Sequence, residues 1–279
     1  MRMDIPNDTT LPFFAYGVFK PGQLCFSRIK DFIKHAAEAK VNGILKERDG
    51  IPLLIKSQDS KVKGYLIYFK SGSEDIAYRR IIEIEPEEVY RWSKIKVNDQ
   101  ILSNALLGTR EQRGSSDLEH VEEWNGKNDP FFVQGLNEVE DILKNNSTFD
   151  WEYKSLFRLQ MAYTFLWSVI ERYAGLKYHF GKRTNEKVYQ IANEKCFAKS
   201  LKKHVQKTRE VFSTTDLSKY ILDPDNPEKS IRYYYQVRSN AVHRGKGVIK
   251  DFDTVKLSLE ELLVIFRDIL NEAFREYEI

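Results

Sequence analysis

Cysteine is scarce in this chain: among 279 residues there are two, Cys25 and Cys196, far apart and without Cys-x2-Cys spacing. That excludes a disulfide framework and a zinc finger or ribbon as the source of stability. The five histidines show no metal-ligand spacing either, so neither a metal nor another cofactor is expected. Long apolar runs are also missing. No stretch approaches the roughly 20 apolar residues that span a bilayer, and the first residues, Met1-Arg2-Met3-Asp4-Ile5-Pro6-Asn7-Asp8, carry no signal-peptide core. A cytoplasmic location without membrane contact is the resulting expectation. A strong charge imbalance is absent too: 44 Lys and Arg stand against 41 Asp and Glu, and a net +3 is too small to argue by itself for a polyanionic partner.

Apolar and aromatic side chains, by contrast, are plentiful. At 42% hydrophobic and 13% aromatic, the chain can fill one large core or two ordinary ones. Its patterning divides it into an α+β whole with three parts, 1–110, 111–130 and 131–279.

Residues 12–100 alternate as short strands with turn punctuation. Phe13 to Tyr16, Val41 to Leu45, Ile51 to Ile55, Val62 to Phe69 and Ser93 to Val97 read as strands, with turns at Lys20-Pro21-Gly22 and Asp49-Gly50. Phe26, Ile29, Ile33 and Ala36 recur at helical spacing and predict a helix, as does Ile76 to Glu85. Short strands with one or two helices suggest a small β-barrel or mixed sheet.

Within this part Phe14-Ala15-Tyr16-Gly17-Val18-Phe19-Lys20-Pro21-Gly22, then Val62-Lys63-Gly64-Tyr65, then Glu85-Pro86 and Tyr90-Arg91-Trp92, resemble the gamma-glutamylcyclotransferase-like family over about residues 12–110. The resemblance implies that the loop of Tyr16, Gly17, Val18, Phe19 and Lys20, with Tyr90 nearby, holds a small gamma-glutamyl-like ligand. It also implies that Glu85 is the general acid/base of a ring-closing transfer. Val18 and Pro86 stand where the family usually has a Ser, Thr or Asn and a Gly. Glu85 can equally be one member of a solvated acidic run with Glu83, Glu87 and Glu88.

Residues 109–130 are polar and charged and read as a linker. Beyond it the spacing is helical. Leu159, Tyr163, Leu166, Ile170 and Tyr173 predict a long helix from about Trp151 to Ala174, closed by Gly175. Residues 175–210 hold ten Lys or Arg against three Glu, and Lys195, Lys199, Lys202 and Arg209 are predicted to share a helix face. Such a run is either a solvated surface or a source of phosphate contacts. Ser258-x-x-Glu261 has the form of a capping box and predicts the start of a last helix.

The helix that follows Asp223-Pro224-Asp225-Asn226-Pro227 is the most informative. Asn226 offers an N-cap and Pro227 a first helical residue. Helical spacing puts Ile231, Tyr234, Tyr235, Arg238, Ala241 and Val242 on one face, so a guanidinium falls within an apolar stripe. An inward arginine needs a carboxylate, several acceptors or a phosphate, because it cannot shed its charge. Glu171 is the candidate carboxylate, although it can also face water.

Arg238-x4-His243 within Tyr-Tyr-Tyr-Gln-Val-Arg-Ser-Asn-Ala-Val-His-Arg-Gly resembles the signature of the HEPN superfamily, closest to its ApeA-like branch, over about residues 128–277. The resemblance implies a helical bundle that cleaves RNA without a metal, as a toxin or antiviral effector, and assembles as a homodimer. Arg238 would grip the phosphate and His243 move the proton. Asn240, Glu171, Lys199 and Lys202 would contact or position the substrate. A purely structural Arg238, paired with a core carboxylate in a binding or dimerisation module, is the competing reading.

Overall fold

A computed structural model describes residues 3–48, 50–85, 87–109, 116–117, 121–178, 184–244 and 249–275, without the side chains of 116, 117, 184, 243, 244 and 249. The chain forms two compact units. One contains 1–129 with 176–181 and 273–279; the other contains 130–175 and 182–272.

The first unit opens with β1 (Phe13–Ala15), β2 (Ile33–Asn42), β3 (Ile44–Arg48), β4 (Ile51–Ile55) and β5 (Lys61–Phe69). It continues through α1 (Glu74–Ile82), β6 (Tyr90–Val97), β7 (Ile101–Gly108) and the two-residue β8 (Ser116–Asp117). Five strands make a mixed sheet in the order β2-β5-β1-β7-β6, parallel only between β1 and β7; β4-β3-β8 form a second sheet. Aromatic rings fill the core. Tyr78 of α1 meets Phe13, Phe69 and Trp92 edge-on and donates its hydroxyl to Leu11 O at 2.7 Å.

Of the small barrel and the mixed sheet expected here, the mixed sheet is found, and the helix expected around Phe26 is not. Among the described residues the sheet does not close into a barrel, because no ladder joins β2 to β6. The β6–β7 turn, with Asn98 and Asp99 at positive φ, reaches β2 only at its last residues, Lys40 and Asn42. The predicted helix around Phe26 to Ala36 is two 3-10 turns, Phe26–Arg28 and Lys30–Phe32, followed directly by β2. Ala36, Ala37 and Ala39 are good helix formers, but nine register pairs with β5 outweigh that preference.

Residues 121–129 lie in the first unit. Trp124 is buried, Gly126 N donates to Gln23 Oε1 at 3.0 Å, and Glu123 binds Lys20.

The second unit begins with a π-helical turn, Phe131–Gly135, and then runs α2 (Leu136–Asn145), α3 (Lys154–Lys177), α4 (Thr184–Tyr189) and α5 (Lys195–His204). A hairpin of β9 (Arg209–Phe212) and β10 (Lys219–Leu222) precedes α6 (Pro227–Arg244) and α7 (Ile249–Ala273). The predicted stripe of α3, Leu159 to Tyr173, is buried throughout, but the helix passes through Gly175 to Lys177. Its first amides are held by Asp150, which accepts from Lys154 N and Ser155 N. Asn226 caps α6 by accepting from Lys229 N at 3.0 Å, with Pro227 at the first position.

Three further readings are corrected. Arg209 lies on β9, not on the helix of Lys195 and Lys199; its guanidinium pairs with both oxygens of Glu261. Ser258 sits inside α7, because Phe252 and Val255 extend the buried stripe two turns earlier than the capping-box spacing suggests. The buried face of α6 is Ser230, Ile231, Tyr233, Tyr234, Val237 and Asn240, while Val242 is exposed. The stripe is therefore rotated by about one position, and Arg238 flanks it rather than lying at its centre.

Candidate functional site

In the first unit the ends of β1, α1 and β6 bring Tyr16, Glu85 and Tyr90 within electrostatic reach of one another. Tyr16 is fixed twice: its hydroxyl donates to Leu106 O at 2.7 Å and accepts from Leu54 N at 3.2 Å. Tyr90 donates to Pro52 O at 2.5 Å. Both phenols are raised above their ordinary range, first by burial, with the charge of Glu85 adding to it.

Glu85 follows the C-terminus of α1, where its N–H donates to Ile81 O at 3.1 Å. Burial pushes its carboxyl up to about 8. Among the described residues no positive charge offsets that burial and nothing hydrogen-bonds the carboxyl. A carboxyl protonated at neutral pH, yet able to ionise a little above it, is suited to general acid/base work.

The loop after β1 is packed inward. A Cβ at Gly17 would meet Pro52 Cγ at 2.9 Å, so the close approach of these two segments requires a residue without a side chain. Gly17 O accepts from Lys20 N, and Val18 O from Cys25 N. The side chains of Val18 and Phe19 are buried in the core. Lys20 is only 2% exposed and donates to Glu123 Oε1 at 2.6 Å. Burial lowers its ammonium, and Glu123 opposes that shift. The ammonium is thus committed within the fold. Pro86, the residue after Glu85, lies outside the described residues.

In the second unit Arg238 projects from α6 toward α3, with its side chain 24% exposed. Nη2 lies 3.9 Å from Glu171 Oε1, the outer limit of an ion pair, and the guanidinium carbon is 5.7 Å from the Tyr235 ring centroid. Among the described residues Arg238 makes no hydrogen bond, and its Nε is buried without a partner. Burial raises the Glu171 carboxyl, while Arg238 pulls it down. The backbone of α6 continues past position 243, but the His243 side chain lies outside the described residues.

Asn240 is used by the chain itself. Its Oδ1 accepts from Gln236 Nε2 and Thr214 N, and its Nδ2 donates to Phe212 O, so it ties the hairpin to α6. Lys199 is exposed on α5, and Lys202 pairs with Asp225 at 2.9 Å on the surface.

Sequence reasoning missed three residues that hold each of the two units together internally. Glu123 and Trp124 were hidden in a polar passage, where the lone tryptophan was the available signal. Glu261 was assigned to a cap, yet it binds Arg209 and accepts the Tyr234 hydroxyl at 2.9 Å.

Fold and sites together define an α+β protein of two units, one carrying a desolvated carboxyl beside two buried tyrosines and the other an arginine with unused donors. Comparison with known protein families, with curated proteins and with solved structures gave no match. Among the described residues no helix is long and apolar enough to cross a membrane, and no three His, Cys, Asp or Glu are grouped to hold a metal.

Proposed function

We propose that the helical unit is a HEPN-type endoribonuclease and that the mixed-sheet unit is a cyclotransferase-like domain that senses or regulates. The observation that carries the nuclease reading is Arg238: a guanidinium largely withdrawn from water, with no hydrogen bond among the described residues and a distant carboxylate. An arginine in that state gains most from an anion with several oxygens, and a phosphodiester supplies them. In the cleavage step the ribose 2′-oxygen bonds to phosphorus and the 5′-oxygen leaves. Arg238 stabilises the charge that develops on the phosphoryl oxygens, and His243 transfers the proton. The products are a 2′,3′-cyclic phosphate end and a 5′-hydroxyl end.

The test is incubation of the purified protein with total RNA in the absence of metal, beside His243→Ala and Arg238→Gln. Cleavage to cyclic-phosphate ends should fall about a hundredfold or more in His243→Ala. Retained cleavage in that variant sinks the mechanism.

A second reading rests on its own observation, the carboxyl of Glu85 pushed up to about 8. It suits proton transfer during closure of a gamma-glutamyl amide. The α-amine nitrogen bonds to the γ-carbonyl carbon and the amide C–N bond breaks; the departing amine takes a proton from Glu85, and the carboxylate so formed takes the proton that the ring nitrogen gives up. Release of 5-oxoproline from gamma-glutamyl amines by the wild type, lost in Glu85→Gln, supports turnover. Binding of such amines without release reduces the site to a sensor.

A further inference from the structure

Beside Arg238 a second set of contacts has no role in the cleavage step. Arg232, six residues earlier on α6, lies with its guanidinium carbon 4.4 Å from the Tyr189 ring centroid. Tyr189 meets Tyr235 at 5.8 Å and 77°, and Tyr235 meets Trp167 edge-on at 5.3 Å and 89°. Arg238 sits over Tyr235 at the other end. Guanidinium, ring, ring and guanidinium therefore follow one another beside α6, whose Arg232 and Arg238 are about 9 Å of helix rise apart.

The ends of this ladder differ in what they offer. Arg238 is withdrawn from water and keeps donors unused, whereas Arg232 is 44% exposed and bound to Glu228 Oε1 at 3.1 Å. Arg232, over the Tyr189 ring on one side and 44% exposed, can stack on a flat group from solvent. Tyr189 and Tyr235 are each half-buried, so Trp167 and α4 hold the rings in place while part of each faces outward. A phosphate site beside a stacking platform matches unpaired RNA, in which a base can turn out of its strand; a duplex keeps its bases stacked.

The geometry points to a base-stacking subsite formed by Arg232, Tyr189 and Tyr235 that selects single-stranded RNA and feeds the neighbouring phosphate to Arg238. The inference rests on the nuclease reading for the role of Arg238, but binding tests it separately from cleavage. The probes are an eight-nucleotide 2′-O-methyl RNA, which cannot be cleaved by the 2′-hydroxyl route, an abasic strand of equal charge, and an eight-base-pair duplex. Each is measured by fluorescence anisotropy against the full chain and against Tyr189→Leu and Arg232→Gln. Tyr189→Leu keeps the apolar packing against α6 and removes the ring.

The expected result is that the wild type binds the base-bearing single strand about tenfold or more tightly than the abasic strand or the duplex, the span that stacking of a base supplies. Both variants should lose that preference while keeping the weaker affinity for the abasic strand. Equal affinity of the wild type for the three probes, no binding, or an unchanged preference in both variants overturns the subsite. A protein that shows the preference but leaves a 2′-hydroxyl strand intact retains the subsite and loses the cleavage reading.

Discussion

Replacing Glu85 with glutamine should stabilise the first unit at alkaline pH and leave it nearly unchanged in acid. An ordinary glutamate titrates near 4.5, and burial moves Glu85 to about 8. Below about 4.5 the carboxyl is protonated in the folded and unfolded chain alike, and burial is tolerated. Between 4.5 and 8 the unfolded chain releases the proton while the fold retains it, so stability falls as pH rises through that window. Above about 8 the loss is complete. At about 1.4 kcal/mol per pH unit it amounts to roughly 5 kcal/mol, an upper figure because the residue keeps partial exposure. Glutamine imitates the protonated acid and has no such loss. Native-state hydrogen exchange of β1 and β5 amides reports on this unit, and the variant should gain from near zero at pH 5 to several kcal/mol at pH 9. A gain that is flat with pH, or a Glu85 carboxyl found by NMR to titrate near 4.5, refutes the reasoning.

Two other substitutions probe the frame of each unit. In Gly64→Ala the new Cβ would meet Ala15 O at 2.5 Å and the Phe14 ring at 2.7 Å, so β5 and β1 must separate and urea unfolding should show a loss of about 2–3 kcal/mol. In the second unit Arg209→Leu should cost about 3 kcal/mol by leaving Glu261 half-paired in the interior, whereas Arg209→Leu with Glu261→Leu should recover most of it in thermal unfolding.

Local chemistry was legible where the chain needed no distant partner. The alternation of Val62 to Phe69 and the Asn226-Pro227 start of α6 are each complete within a few residues, and both appear where expected. β2 was not legible, because its alanines favour a helix until β5 offers a ladder. The start of α7 was misread for a related reason: Ser258 and Glu261 have capping-box spacing, but the oxygens of Glu261 are taken by Arg209 and Tyr234 from elsewhere in the unit. The Tyr16 to Lys20 loop could be found by motif, yet the character of Glu85 could not. Within Glu83, Glu85, Glu87 and Glu88 its letter is like the others, and only packing beside Tyr16 and Tyr90 separates it from a solvated acid.

The pairing of Lys20 with Glu123 bears on any attempt to divide the molecule. A piece cut at residue 110 would keep the whole five-stranded sheet but abandon an ammonium in the interior, with the Gln23 amide and the space under Trp124 left unfilled. Such a fragment would shed its lysine proton or open the loop of Tyr16 to Lys20. One that runs to Asp129 retains that closure but lacks 176–181 and 273–279, which belong to the same unit and include the Leu176 carbonyl that accepts from Cys25, so the chemistry of Glu85 is studied on the full chain.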